Sequence, residues 1–242
     1  PENNRLRLFR ARDGFSLDDL AEAPTKEFFA IEDLQTIHPG PDRSSWIYAG
    51  TTQGHWEVRE LKLGDSIPRR IAASDANNCS ALVSGDGKWL AILEQSESSD
   101  ATVSVYPTRV VWTEPIAKWT FHDLLQLSYT QTHNSWKFRC WSPDSTWLLI
   151  EVHGGGDGAL LLMRPIDKKM ITLPLRDRFQ AAAWSQSGRY LAYQAGKPDP
   201  EERGNSVTIY DTYSNYASSL SLGAHVTLTA WSAEDKILLR LG

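Results

Sequence analysis

The amino-acid sequence predicts an all-β protein, a β-propeller of about five four-stranded blades. Three observations predict it: a short phrase of sequence recurs along the chain, its copies are spaced at similar intervals, and a second alternating apolar segment follows each copy. A repeat of this size indicates that each copy is one supersecondary unit, which cannot bury its apolar face alone. The copies must therefore stack on one another.

The recurring phrase is a sequence motif that consists of a turn, an aromatic residue and a pair of aliphatic residues. Clear copies run over 83–92, 141–150 and 184–193, and fainter ones over 41–48 and 231–239. Asp86-Gly87 predicts the tight turn of a hairpin, because Asp bonds its own backbone and Gly takes positive φ at no steric cost. The aromatic residue then enters the second strand and fills the space between blades, so we interpret most of the ten tryptophans as core.

The spacing of the copies sets the size of the unit. The aromatic position steps by 43, 58, 43 and 47 residues through Trp46, Trp89, Trp147, Tyr190 and Ile237. Once about 15 extra residues are removed from the long step, the period is close to the roughly 40 to 45 residues of a propeller blade. The alternating segments that follow are predicted third strands: Trp56–Leu61, Val103–Tyr106, Leu160–Met163 and Val207–Tyr210.

The two ends of the chain look complementary. Residues 226–240 supply the first two strands of a blade, and residues 5–11 resemble a third strand with nothing before it. Joining them would complete one blade and close a ring, which removes an exposed sheet edge. Residues 16–23 have helix-start character instead, which leaves the fourth strand of that blade open.

We therefore predict a single domain over residues 1–242. The closing blade takes 1–24 and 225–242, an insertion takes 121–136, and the remaining blades cover about 28–72, 78–120, 137–175 and 179–222.

Composition argues against several classes of partner. The formal net charge is −5, and no basic run exceeds two residues, so the electrostatic footprint of a nucleic-acid-binding protein is missing. The longest apolar run is far shorter than the ~20 residues of a membrane span, so we expect no membrane insertion. Cys79 and Cys140 are interpreted as two buried thiols in preference to a disulfide, with the disulfide left open.

Familiar catalytic motifs are missing from the sequence. It contains no G-x-S-x-G, H-E-x-x-H, phosphate-loop or G-x-G-x-x-G pattern. The glycine run 154–158 is interpreted as a hairpin loop rather than an anion cradle. His153 has no second ligand at a metal spacing, so we expect neither a metal nor a cofactor.

Two glutamates leave a hydrolase as an alternative function. A glycosidase needs two carboxyl groups that face one pocket about 5 to 9.5 Å apart. Glu94 and Glu151, at the ends of second strands in neighbouring blades, are the pair to inspect first. The alternative is that both are solvated strand ends.

The long step of the repeat predicts a binding surface. Its extra residues connect a fourth strand to the next first strand, and insertions on one face of a repeat protein often mark the binding face. Our candidates for recognition are His122, Tyr129, His133 and Trp136. The alternative is a loop that only plugs the top of the channel. The polar loop 196–205 would rise on the same side.

The phrase resembles the W-S-P-D-G-x-x-L-A repeat of TolB-like, or WD40-like, β-propellers. The matching stretches are Trp141-Ser142-Pro143-Asp144 with Trp147-Leu148, Ser84-Gly85-Asp86-Gly87-Lys88-Trp89-Leu90-Ala91, and Trp184-Ser185-Gln186-Ser187-Gly188-Arg189-Tyr190-Leu191-Ala192. The resemblance implies a propeller that binds proteins or serves as the sensory domain of a larger protein, and a periplasmic or extracellular setting. The repeat residues of these families are structural, so the resemblance implies no catalytic residue. TolB-like proteins usually carry six blades and an N-terminal α/β domain, which the repeats counted here do not account for.

The expected function is therefore a non-enzymatic binding module, a monomeric ring that presents one loop-rich face to a protein or peptide. The alternatives are a five-bladed carbohydrate-active hydrolase and an accessory propeller of a peptidase.

Overall fold

The computed structural model describes fifteen segments of the chain. They are residues 5–7, 27–30, 33–40, 45–52, 54–62, 68–74, 78–95, 100–108, 114–121, 135–154, 157–175, 179–195, 206–222, 226–233 and 236–241. The first two strands, β1 (Arg5–Arg7) and β2 (Glu27–Ala30), pair with each other in an antiparallel two-stranded sheet.

Four antiparallel four-stranded sheets follow, each with its strands in chain order. Blade 1 consists of β3 (Asp33–Pro39), β4 (Ser45–Thr52), β5 (His55–Lys62) and β6 (Arg69–Ser74). Blade 2 consists of β7 (Asn78–Val83), β8 (Trp89–Gln95), β9 (Ala101–Pro107) and β10 (Ala117–Phe121). The predicted third strands in both blades are confirmed, because β5 and β9 contain them.

Blades 3 and 4 repeat the same order. Blade 3 consists of β11 (Ser135–Trp141), β12 (Leu148–Gly154), β13 (Asp157–Arg164) and β14 (Lys169–Leu175), with a one-turn 3₁₀ helix at Pro165–Asp167 before β14. Blade 4 consists of β15 (Phe179–Trp184), β16 (Tyr190–Ala195), β17 (Ser206–Asp211) and β18 (Tyr216–Ser221). The last two strands, β19 (Val226–Trp231) and β20 (Ile237–Leu241), form a two-stranded sheet that we call the C-terminal hairpin.

The predicted joining of the two chain ends is not seen among the described strands. β1 pairs with β2, whereas β19 and β20 pair with each other. Blade 1 begins at Asp33, later than the expected start near residue 28, because Glu27–Ala30 belongs to the sheet of β1. Residues 16–23, with the helix-start pattern, lie outside the described residues.

The turn of the repeated phrase is built by a serine and an aspartate. The Ser84 hydroxyl donates to Oδ1 of Asp86 at 2.7 Å and accepts from the Trp89 N–H at 3.0 Å. The Gly87 N–H closes the turn on the Ser84 carbonyl, with Gly87 at φ +70°. The predicted Asp86-Gly87 turn is therefore confirmed.

Blade 3 contains the same turn. Ser142 donates to Asp144 at 2.5 Å and accepts from the Trp147 N–H at 2.9 Å, with Ser145 at positive φ. The turns of neighbouring blades also approach each other closely. An added Cβ at Gly188, which has φ +73°, would lie 2.5 Å from Oδ1 of Asp144, so a side chain at this position would be strained and would displace Asp144.

The core lies between the sheets. Alternate residues of blade 3 pack in opposite directions, as the period of a strand requires. Leu148 and Ile150 join a cluster with Leu93 and Val103 of blade 2, whereas Leu149 joins a cluster with residues of blade 4 such as Leu191. Similar clusters join blade 1 to blade 2 and blade 4 to the C-terminal hairpin.

Two tryptophans at the end of first strands tie their sheets to the preceding one. The Trp141 indole N–H donates to the Leu82 carbonyl at 3.2 Å, and the Trp231 indole N–H donates to the Ala183 carbonyl at 2.8 Å. Leu82 and Ala183 belong to the first strand of the preceding blade. The core interpretation of these periodic tryptophans is therefore confirmed.

Candidate binding site

The connections after second and fourth strands lie at one end of the blades, which we call the loop edge. In blade 3, for example, Ser135 at the start of β11 pairs with His153 near the end of β12. Two of these connections are long, at 122–134 and 196–205, whereas 75–77, 155–156 and 176–178 are short. The first long connection joins blade 2 to blade 3, and the second lies within blade 4, between its second and third strands.

The four recognition residues expected from the sequence have different outcomes. His122, Tyr129 and His133 lie outside the described residues, and their role stays a prediction. Trp136 is described, and its side chain is only 4% exposed. Its ring centroid lies 4.9 Å from that of Phe121, in the core between blades 2 and 3. The structure therefore gives Trp136 a packing position at the base of the insertion.

The strand that follows the insertion is held by hydrogen bonds to blade 2. The Gln95 side chain donates from Nε2 to the Trp136 carbonyl at 3.1 Å, and its Oε1 accepts from the Trp136 N–H at 3.3 Å. Phe121 and Trp136, which flank 122–134, are both buried. Because the residues on both sides of the insertion are held in the core, the loop itself is presented from a rigid base.

A charged cluster lies in the strand that the insertion enters. The register of β11 shifts between Phe138 and Cys140, which makes Arg139 the extra residue of a β-bulge. Arg139 forms an ion pair with Glu151, and His153 contacts the other oxygen of the same carboxylate. Glu151 is 1% exposed, and a buried carboxylate needs such partners to remain ionised.

The first strands of blades 1, 3 and 4 and of the C-terminal hairpin each contain a bulge, and the extra residue is polar in all four. These residues are Gln35, Arg139, Gln180 and Thr229. A bulge re-aims a side chain, and bulges are common beside functional sites. Sequence reasoning missed Arg139, since the only available signal was one extra residue between Phe138 and Cys140 in an otherwise alternating strand.

Arg139 also joins blades 3 and 4. Its guanidinium carbon lies 4.6 Å from the centroid of the Phe179 ring, a cation–π contact. Burial lowers the pKa of Arg139 from its ordinary value, yet an arginine remains charged in a protein. Phe179 pairs with Ala195, the residue from which the 196–205 connection departs. The Arg139–Phe179 contact therefore joins the strand that follows 122–134 to the strand pair that precedes 196–205.

The carboxylate pair of the hydrolase alternative is not symmetric. Glu151 is buried and bound to Arg139 and His153, so its charge is already compensated. Glu94 is partly exposed and pairs in register with Cys79 and Thr102. A glycosidase acid or nucleophile has to face substrate, and Glu151 faces Arg139 and His153 instead.

Cys79 and Cys140 are thiols and are not joined in a disulfide. Burial raises the pKa of both, and at Cys140 the Trp184 indole and the charge of Arg139 lower it in part. Within the described segments no group of three or more His, Cys, Asp or Glu side chains is arranged to hold a metal ion. Nor does any helix in those segments have the length and apolar character to cross a membrane.

Comparison with known proteins gives the fold a wider context. No protein-family model matches the chain, and no curated protein sequence matches it significantly. The β-propeller domain of the Trilobed protease from Pyrococcus furiosus matches with a TM-score of 0.52 at 14% identity, over 79% of this chain and 58% of that chain. The chain folds as a β-propeller. The fold that the resemblance implied is therefore confirmed.

Other solved propeller-containing proteins match at similarly low identity. An acylaminoacyl peptidase matches with a TM-score of 0.51 at 14% identity, over 82% of this chain and 34% of that chain. TolB from Acinetobacter baumannii matches with a TM-score of 0.48 at 13% identity, over 90% of this chain and 53% of that chain. The propeller described here thus spans only part of the length of each of these proteins.

Proposed function

We propose that this propeller is a non-enzymatic binding module that presents the loop edge of blades 3 and 4 to a protein or peptide partner. One observation carries the proposal: the Arg139–Phe179 contact joins β11, the strand that follows 122–134, to the sheet of blade 4 that 196–205 interrupts. Repeat proteins often carry their binding residues in loops on a rigid scaffold.

The charges at this place favour binding over catalysis. Glu151 is enclosed by its own strand neighbours, and Arg139 is stacked on Phe179. A partner meets a preorganised cationic and aromatic surface rather than a free acid and base. Arginine and aromatic side chains are also the residues that dominate binding energy at protein interfaces.

We also propose that the ring closes through β1 and β20, which gives five blades. The C-terminal hairpin has two strands and the β1–β2 sheet has two, and their sum equals the four strands of the other blades. The two residues between β2 and β3 make a connection as short as 75–77 and 176–178, which join fourth strands to first strands. In this arrangement β1 is the third strand and β2 the fourth. The alternative is an open velcro topology, which is that of the Trilobed protease propeller.

A second candidate function is supported by the peptidases among the matching structures. The Trilobed protease and the acylaminoacyl peptidase both contain a region that matches this chain, which spans 58% and 34% of their lengths. The propeller described here would then be an accessory domain of a longer hydrolytic protein. Peptide hydrolysis by the protein isolated from its native source, and none by residues 1–242 alone, would favour this candidate.

The binding proposal is tested by replacing 122–134 with a short Gly-Ser link. Because Phe121 and Trp136 are held in the core, we expect an unchanged circular dichroism spectrum and a loss of partner capture from native extract. The matched control replaces 109–113, in a connection at the opposite end of blade 2, and keeps capture. Equal capture by both variants would overturn the proposal, and unfolding of the first variant would show that the segment belongs to the core.

A further inference from the structure

The outer edges of the four complete blades differ in one respect. Three of the fourth strands carry residues that discourage pairing with another strand: Arg69 and Arg70 in β6, Lys118 in β10, and Lys169 with Pro174 in β14. The strand β18, with the sequence Tyr-Ala-Ser-Ser-Leu-Ser, contains neither a charge nor a proline. Natural proteins use charges and prolines to protect edge strands, and β18 lacks this protection.

β18 is also the most exposed of these strands. All six of its residues are exposed, whereas the other described fourth strands each contain buried or half-buried residues. Tyr216 is 67% exposed and Leu220 is 58% exposed. β17 pairs with β18 from Ser206↔Ser221 to Asp211↔Tyr216, and no other described strand pairs with β18.

The sequence of β18 is complementary to itself. In an antiparallel pair of two copies centred on Ser218, Tyr216 of each copy would stand opposite Leu220 of the other. Aromatic and aliphatic residues are favourable cross-strand neighbours, and such pairs stabilise a sheet. Ser218 would face Ser218, and Ala217 would face Ser219. No charged side chain within the strand opposes its equivalent, so the pairing has no like-charge repulsion.

We propose that β18 pairs antiparallel with β18 of a second copy of this chain, around a two-fold axis at Ser218, to form a continuous eight-stranded sheet. Two-fold symmetry is the commonest arrangement in soluble homo-oligomers and requires a self-complementary patch. A single strand pair is a small interface, so the dimer is weak and depends on concentration. This dimer would replace the monomeric ring expected from the sequence, and it does not depend on the proposed binding function.

The proposal is tested by disulfide trapping with Ser218→Cys. In the proposed register the two Cα atoms at position 218 lie about 4.5–5.5 Å apart, within the range that a disulfide spans. Ser219→Cys is the matched control. In the proposed register the two Cα atoms at position 219 are offset by two residues along the strands. At the usual strand rise and spacing they lie about 8 Å apart, which is too far for a disulfide. We expect a covalent dimer from Ser218→Cys under mild oxidation and none from Ser219→Cys or the wild type.

Sedimentation velocity gives an independent result without cysteine chemistry. The wild-type chain should show a concentration-dependent dimer, and Ser218→Lys, which places two lysines opposite each other, should shift it to monomer. Circular dichroism should show that both forms remain folded. A wild type that stays monomeric at every concentration, or equal cross-linking of Ser218→Cys and Ser219→Cys, would overturn the proposal.

Discussion

Blade 3 and the C-terminal hairpin begin from similar sequence and reach different degrees of burial. Leu148-Leu149-Ile150 in β12 is wholly buried, whereas Leu238 and Leu239 in β20 are exposed. β12 has a core cluster on each side, with blade 2 and with blade 4, while the described cluster of the C-terminal hairpin lies on the blade 4 side. Burial of a strand in this repeat therefore depends on packing against a neighbouring sheet on each side. An apolar local sequence permits that burial but does not produce it.

The largest expected effect comes from shortening a leucine in each region. Leu149→Ala in blade 3 should lower the free energy of unfolding by about 2–5 kcal/mol, because the side chain is fully buried and leaves a cavity. Leu239→Ala, at a residue 39% exposed, should cost about 1 kcal/mol or less. Urea unfolding followed by tryptophan fluorescence measures both. Equal losses would mean that β20 is as well packed as β12.

A smaller effect is expected at the glutamines that hold the next sheet. Gln194 is fully buried, and it donates to the Val226 carbonyl at 2.8 Å and accepts from the Leu228 N–H at 2.6 Å. Gln194→Ala leaves two groups of β19 without these partners and should cost about 1–3 kcal/mol. The matched variant Gln95→Ala removes longer and more exposed bonds, and should cost less. Hydrogen exchange should become faster at β19 in the first variant, and unchanged exchange there would show that Gln194 does not anchor the hairpin.

The smallest effect concerns the serine–aspartate turns of the complete blades. Burial raises the pKa of Asp86, but hydrogen bonds from Lys88, Ser84 and Ser145 outweigh it and bring the pKa to about 2. Since the folded-state pKa is below the ordinary 3.8, the ionised form stabilises the fold above about pH 4, and this contribution is lost as the pH falls towards 2. Asp86→Asn should therefore lower stability at pH 7 and flatten its decline between pH 4 and 2. Parallel pH curves for variant and wild type would contradict this.

The sequence predicts the parts of this fold that depend on local chemistry. The Asp86-Gly87 turn follows from backbone preferences and the third strands from alternation, and the structure contains both. Trp136 shows the limit of such reasoning. It looked like part of a recognition loop, yet it is the first buried residue of β11, and its alternation with Phe138 was the signal available.

Other features were outside the reach of the sequence. The bulge at Arg139 and the Gln194 contacts depend on which backbone groups a neighbouring blade leaves unpaired. The pairing of Glu27–Ala30 with β1 is equally a tertiary property, because the partner strand is distant in the chain. These are contacts between separate strands or blades, whereas the repeat pattern in the sequence describes only the strands and turns within one blade.

The five-bladed ring requires the C-terminal hairpin to be half of a blade whose other half is the β1–β2 sheet. Hydrogen exchange at the amides of β20, compared between the wild type and Leu6→Pro, tests this directly, because proline removes a backbone donor and disrupts pairing by β1. A closed ring predicts slow exchange at β20 in the wild type and markedly faster exchange in Leu6→Pro, with β12 unchanged. Rapid exchange at β20 in both proteins would contradict it and leave the ring open.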